Sequence, residues 1–192
     1  MQEIPIQAAD VLALIGLIEQ SFPAVSIGLY AGKDWHVAKM NQWVELEASI
    51  TGEDPLVTDF EAFLAQKPVV HKFLLIGEEA DITQLLAFLQ EQDFPETSFY
   101  LSKANYLEIT HRSVSKGHAL ALLAEMQGLP IRETLAFGDH FNDLSMLEAA
   151  GVGVAMGNAP QAVQEVADEV TADNHHNGVS LYLERVLLSE TR

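Results

Sequence analysis

The stretch AFGDHFNDLSML, Ala136 to Leu147, interrupts an apolar strand-like run with two carboxylates and an amide, then resumes with helical spacing. Asp139 closes the run before it, and Asn142 and Asp143 open the segment after it, so all three belong to one strand-to-helix turn. In open parallel sheets such turns lie beyond the carboxyl ends of the strands, where ligands bind. The side chains suit a divalent cation. Magnesium takes carboxylate oxygens and retains water, and an amide beside the N–H groups of a helix start can hold a phosphoryl oxygen. The same residues also read without a ligand, Asn142 as an N-cap and Asp143 as a first-turn acid complementing the helix dipole.

Outward from this turn the chain alternates. From Ser115 it runs helix KGHALALLAEMQG, strand TLAFGD, helix NDLSMLEAAG, strand VGVAMG, helix APQAVQEVA, short strand EVTA and helix VSLYLERVLL, a rhythm that specifies parallel strands with helices packed on the sheet. Upstream the pattern differs. Val11, Leu12, Leu14, Ile15 and Ile18 recur at helical spacing, AVSIGLYAG and WHVAKM form a hairpin around GKD, and NQWVELEASI and DFEAFLAQ are helical. VVHKFLLIG then reads as a strand, DITQLLAFLQEQ as a helix, and TSFYLSK with NYLEITH as a second antiparallel pair. The boundary falls within Thr110 to Ser115, giving an α/β chain of two domains, 1–112 and 113–192.

Composition narrows the function. With 10 Lys plus Arg against 28 Asp plus Glu, the formal charge of −18 repels phosphate backbones and anionic lipid, so neither nucleic acid nor membrane is an expected partner. The early apolar run Val11 to Ile18 is too short to span a bilayer and lacks a basic start, and the protein reads as cytoplasmic. The chain has no cysteine, which excludes thiolate nucleophiles and Cys-ligated metal. His36, His71, His111, His118 and His140 are scattered, and the neighbours His175 and His176 have no partner at helical spacing, so histidine ligation is not expected. Trp35, Trp43 and the aromatics of SFYLSKANY read as packing residues.

Lys116 is a second marker. A cation in the first turn of a helix opposes the macrodipole, and a bound phosphate would compensate it, although taken alone the residue reads first as an exposed lysine in a tolerant position. VGVAMGNAP reads structurally, with Asn158 as N-cap and Pro160 in the first helical turn.

Together SVSKGHALALLAEMQGL, LAFGDHFNDLSMLEAAGVGVAMGNA, VADEVTADN and NGVSLYLERVL resemble, over about 80 contiguous residues, the C-terminal half of the Cof-type phosphatases of the haloacid dehalogenase superfamily. The preceding α/β unit is similar in pattern to that family's C2-type cap. The resemblance implies a magnesium-dependent phosphatase of small phosphorylated metabolites. It makes Lys116 the residue that steadies nucleophile and phosphoryl group, Asn142 a phosphoryl contact, and Asp139 and Asp143 the acids serving Mg2+. THRSVSKG departs from the Pro and Gly that family members often carry before the lysine.

The family's chemistry begins in an N-terminal D-x-D-G-T segment, whose first Asp attacks phosphorus and whose second handles the leaving-group proton. None of the ten aspartates of this chain lies two residues from another. The expectation is therefore an incomplete haloacid dehalogenase-like core beside a cap, with a weak or partial magnesium site and no activity alone. The completing half would be supplied separately or lost, and the alternative is a non-catalytic binding module or the product of a truncated gene. In the resembled fold the missing strand would neighbour Thr134 to Phe137, so that edge is expected to be open and a homodimer to cover it, or else MQEIPI or a cap helix folding back.

Overall fold

The computed structural model describes residues 3–189; the chain divides into two compact units between Ser113 and Val114. The first opens with α1 (Ala8–Ser21), the hairpin β1 (Ser26–Ala31) and β2 (Asp34–Val37), and α2 (Gln42–Thr51). It continues with β3 (Leu56–Val57), α3 (Phe60–Leu64), β4 (Val70–Ile76), α4 (Glu79–Gln90), and the hairpin β5 (Thr97–Lys103) and β6 (Tyr106–His111). The six strands form one sheet in the order β3-β2-β1-β4-β6-β5, antiparallel except where β3 joins β2.

Alternation along these strands decides the layering. Leu29, Phe73, Leu75, Leu107 and Ile109 share one face, in register Leu29 with Phe73, Phe73 with Ile109 and Leu75 with Leu107. They are buried with Leu14 and Ile18 of α1 and Ile82, Leu85 and Leu89 of α4. The other face carries Trp35, Val37 and Val44 in one cluster and Leu74, Ile76 and Tyr106 in another, with Trp43 packed against the second. The buried Glu47 of α2 accepts a hydrogen bond from the Tyr106 hydroxyl at 2.7 Å. The N–H of Ile6 donates to the Val70 carbonyl, so the segment entering α1 belongs to this unit.

The second unit contains α5 (Lys116–Gln127), β7 (Leu135–Gly138), α6 (Leu144–Ala149), β8 (Val152–Ala155), α7 (Gln161–Gln164), β9 (Glu169–Val170) and α8 (Gly178–Ser189). Its strands are parallel, in the order β7-β8-β9. One face is built from small residues, Ala136, Gly138, Gly153 and Ala155, and α6 lies close against it; a Cβ placed on Gly153 would come within 2.3 Å of the Leu147 carbonyl. On the other face Phe137 meets Tyr182 of α8 edge to face at 5.5 Å. The helix expected over APQAVQEVA is confined to Gln161–Gln164, with Pro160 rather than Asn158 in the N-cap position. Among the described residues no helix is long and apolar enough to cross a membrane.

The two units give opposite outcomes for one substitution type. Gly16→Ala, at an exposed helical position where the added methyl meets nothing within 4 Å, should stabilise the first unit by about 0.5–1 kcal/mol. Gly153→Ala should destabilise the second by about 1–3 kcal/mol. Urea unfolding followed by residue-resolved amide exchange checks both signs.

Candidate functional site

Gly138 ends β7, and its lack of a side chain leaves the space that Asp143 occupies: a Cβ there would lie 2.5 Å from the Asp143 Cβ. The chain turns through a short 3-10 segment, Phe141–Asp143, before α6 begins. His140, not Asn142, holds the position ahead of that turn, and Asn142 lies within it, half-buried. Asp143 reaches back. Its Oδ2 accepts from the N–H groups of Asp139 at 2.9 Å and His140 at 3.1 Å, and its Oδ1 accepts from the Lys116 ammonium.

Lys116 opens α5 directly after Ser115, whose hydroxyl oxygen accepts from the His118 N–H at 3.1 Å and caps the helix. The anion compensating its cation is thus the chain's own Asp143. α5 meets α6 at Gly117, whose N–H donates to the Ser145 hydroxyl at 3.2 Å. Burial pushes the Asp143 carboxyl up, but the Lys116 ammonium and the two backbone N–H groups outweigh it and hold the group below the usual carboxylate range. Asp143 is 4% exposed, whereas the Lys116 side chain is 48% exposed and its ammonium faces the site.

Asp139 is exposed, and its Oδ2 accepts from the Asn158 side-chain amide at 3.1 Å. Asn158, read from sequence as a helix cap, instead bridges two loops, since its Oδ1 also accepts from the Asn174 N–H at 3.1 Å. The signal was its place within VGVAMGNA, where a following proline made the capping reading sufficient. The buried His140 Nδ1 has no hydrogen-bond partner.

The four residues brought forward from sequence therefore differ in what they offer. Asp139 presents free carboxylate lone pairs to solvent and suits a hard cation. Asp143 spends Oδ2 on two backbone N–H groups and Oδ1 on Lys116, so it positions the lysine and the turn while one Oδ1 lone pair remains. Among the described residues no three acidic or histidine side chains gather around a point where a metal could sit. A separate open cavity of about 600 Å³ in the first unit, lined by Glu19, Ser26, Lys39, Asn41, Trp43 and Phe60 among others, holds none of the four.

Residues 1–183 match the family model for haloacid dehalogenase-like hydrolases, and the chain belongs to that family. It is 38% identical over 182 residues to a putative phosphatase of Haemophilus influenzae, covering 94% of this chain and 67% of that protein. It is 37% identical over 122 residues to the 5-amino-6-(5-phospho-D-ribitylamino)uracil phosphatase of Bacillus subtilis, covering 56% of this chain and 44% of that one. A haloacid dehalogenase-like hydrolase from Bacteroides thetaiotaomicron superposes with a TM-score of 0.81 at 29% identity, over 97% of this chain and 69% of that one. The chain thus spans about half to two thirds of the length of the curated relatives it matches.

Asp143→Asn should destabilise the second unit by about 1–3 kcal/mol at pH 7, since it removes the anion from three donors. A carboxyl whose pKa is lowered on folding contributes fully above its unfolded value near 4, and the contribution disappears as pH falls through the lowered folded value. The gap between parent and variant in urea denaturation should accordingly be constant above about pH 5 and close in more acidic solution.

Proposed function

We propose that this chain carries the cap and the lysine-bearing half of the core of a magnesium-dependent phosphatase acting on small phosphorylated metabolites. The observation that carries the reading is the exposed ammonium of Lys116, fixed by a buried Asp143 at the carboxyl end of β7 beside the free carboxylate of Asp139. A dianionic phosphoryl group gains from a fixed cation that need not reorganise as charge moves to its oxygens. Lys116 supplies that charge, and the Asn142 amide donates to a phosphoryl oxygen. Asp139 would hold the magnesium ion, which when bound neutralises phosphoryl charge. Asn158 keeps the Asp139 carboxylate oriented.

The antiparallel first unit is the cap, and its loops select the metabolite. The attacking carboxylate is not among these residues, since no two aspartates form D-x-D. Turnover then belongs to the chain joined to a segment that carries the nucleophile.

Two experiments test this. The 192-residue chain with magnesium should hydrolyse p-nitrophenyl phosphate no faster than its Asp139→Ala variant; a magnesium-dependent rate abolished by that substitution would overturn the claim of inactivity alone. A single-chain fusion, with the part of the Haemophilus influenzae relative left unmatched placed ahead of this chain, should turn over small phosphate esters. Lys116→Ala in the fusion should lower kcat by about 10²-fold or more. A folded but inert fusion would instead support a non-catalytic module.

A further inference from the structure

His36 of β2 is buried, 7% exposed, and its ring stacks on Phe63 of α3 with 4.1 Å between centroids. Its Nδ1 lies 3.0 Å from the Thr58 hydroxyl, which itself donates to the Leu56 carbonyl at 3.1 Å. A hydroxyl has one proton to give, so the Thr58 oxygen accepts from His36 and the proton of the neutral imidazole sits on Nδ1. Nε2 is left with a bare lone pair. Among the described residues no group donates to it, although a buried acceptor normally finds a donor.

That lone pair faces a cavity. An open space of about 370 Å³ is lined by His36, Phe63, Asp34, His71, Val69 and Glu3, among others. Thr58, which holds the other ring nitrogen, does not line it, so Nε2 is the nitrogen that His36 presents there. His71 reaches the same space through an irregularity of the sheet. Tyr30 pairs with Lys72 and Ala31 with Val70, which leaves His71 as the extra residue of a β-bulge. Bulges re-aim side chains and are frequent beside functional sites.

The carboxylates of Asp34 and Glu3 complete the polar lining, exposed and without an ion pair, and no lysine or arginine is among the described lining residues. Lys33 and Lys67 flank these segments in sequence and line no part of the cavity. Acceptors therefore dominate, over an apolar floor, in a chain of formal charge −18. They are spread along the cavity, since among the described residues no three acidic or histidine side chains gather on one point. A single metal ion does not suit that spacing; an elongated cation with N–H donors at both ends does.

We infer that this cavity is a binding site for a short aliphatic diamine, its ammonium groups taken by Asp34, Glu3 and the bare Nε2 of His36, and its methylenes lying against Phe63 and Val69. The site lies wholly within the first unit and goes beyond the phosphatase reading without resting on it.

The probe is 1,4-diaminobutane, added to the full 192-residue chain at about pH 7.5 and about 0.15 M NaCl, where attraction to distant surface charge is screened. Calorimetry should give a single site with a Kd of about 1 mM or tighter, and the ring nitrogens of His36 should shift in histidine-labelled NMR spectra. The uncharged 1,4-butanediol should not bind. Asp34→Asn should weaken the diamine about threefold or more and leave the melting curve unchanged. His36→Phe, which keeps a ring stacked on Phe63, should abolish binding. No binding at about 10 mM overturns the proposal. So does uptake of several diamines with the His36 resonances unmoved, which is counter-ion attraction to an acidic chain, and so does an affinity indifferent to Asp34→Asn. Should His36→Phe fail to fold, the Asp34→Asn affinity and the His36 resonances of the parent chain still decide.

Discussion

The second unit depends on one buried carboxylate. Asp143 accepts from the Lys116 ammonium and from two consecutive backbone N–H groups, so a single side chain joins the start of α5, the end of β7 and the entry to α6. An ionised group so far from water persists only when its oxygens are met by donors, and three donors supply that. The arrangement explains why a lysine tolerates the first turn of a helix. It also explains why β7 must end in glycine, since any side chain at Gly138 would occupy the space of Asp143.

This division of labour separates two acids that look equivalent in G-D-x-x-N-D. Asp139 points to solvent with one oxygen steadied by Asn158, and Asp143 turns inward and is consumed by structure. The inner acid sets geometry and charge for the lysine; the outer one is exposed and is met by Asn158. The Lys116 cation is thus held in place by the fold itself, which is the preorganisation that the proposed phosphoryl chemistry would use.

The fold was largely legible because its signals are local. Short β-branched and apolar runs in VVHKFLLIG and NYLEITH placed both strands, and the change from hairpins to helix-strand alternation after Thr110 separated a largely antiparallel sheet from a parallel one. What sequence could not supply was tertiary. Asn158 followed by Pro160 satisfies every local rule for a helix start, yet its amide is used 19 residues back at Asp139. Asn142 reads as the N-cap and Asp143 as a first-turn acid by local rules, whereas the turn places His140 ahead of both. Burial on α5 is likewise tertiary: Gly117 and Ala124 are buried, whereas Leu123 and Met126 lie on an exposed flank.

That uncovered flank gives the acidic composition a second meaning. A short parallel sheet with an open edge beside exposed Leu123 and Met126 is the kind of apolar surface that promotes self-association. A formal charge of −18 on each copy opposes the encounter at long range, so colloidal behaviour is governed by ionic strength. The screening length contracts from about 10 Å at 0.1 M salt to about 3 Å at 1 M, which places the well-dispersed regime of this chain at the dilute end of that range.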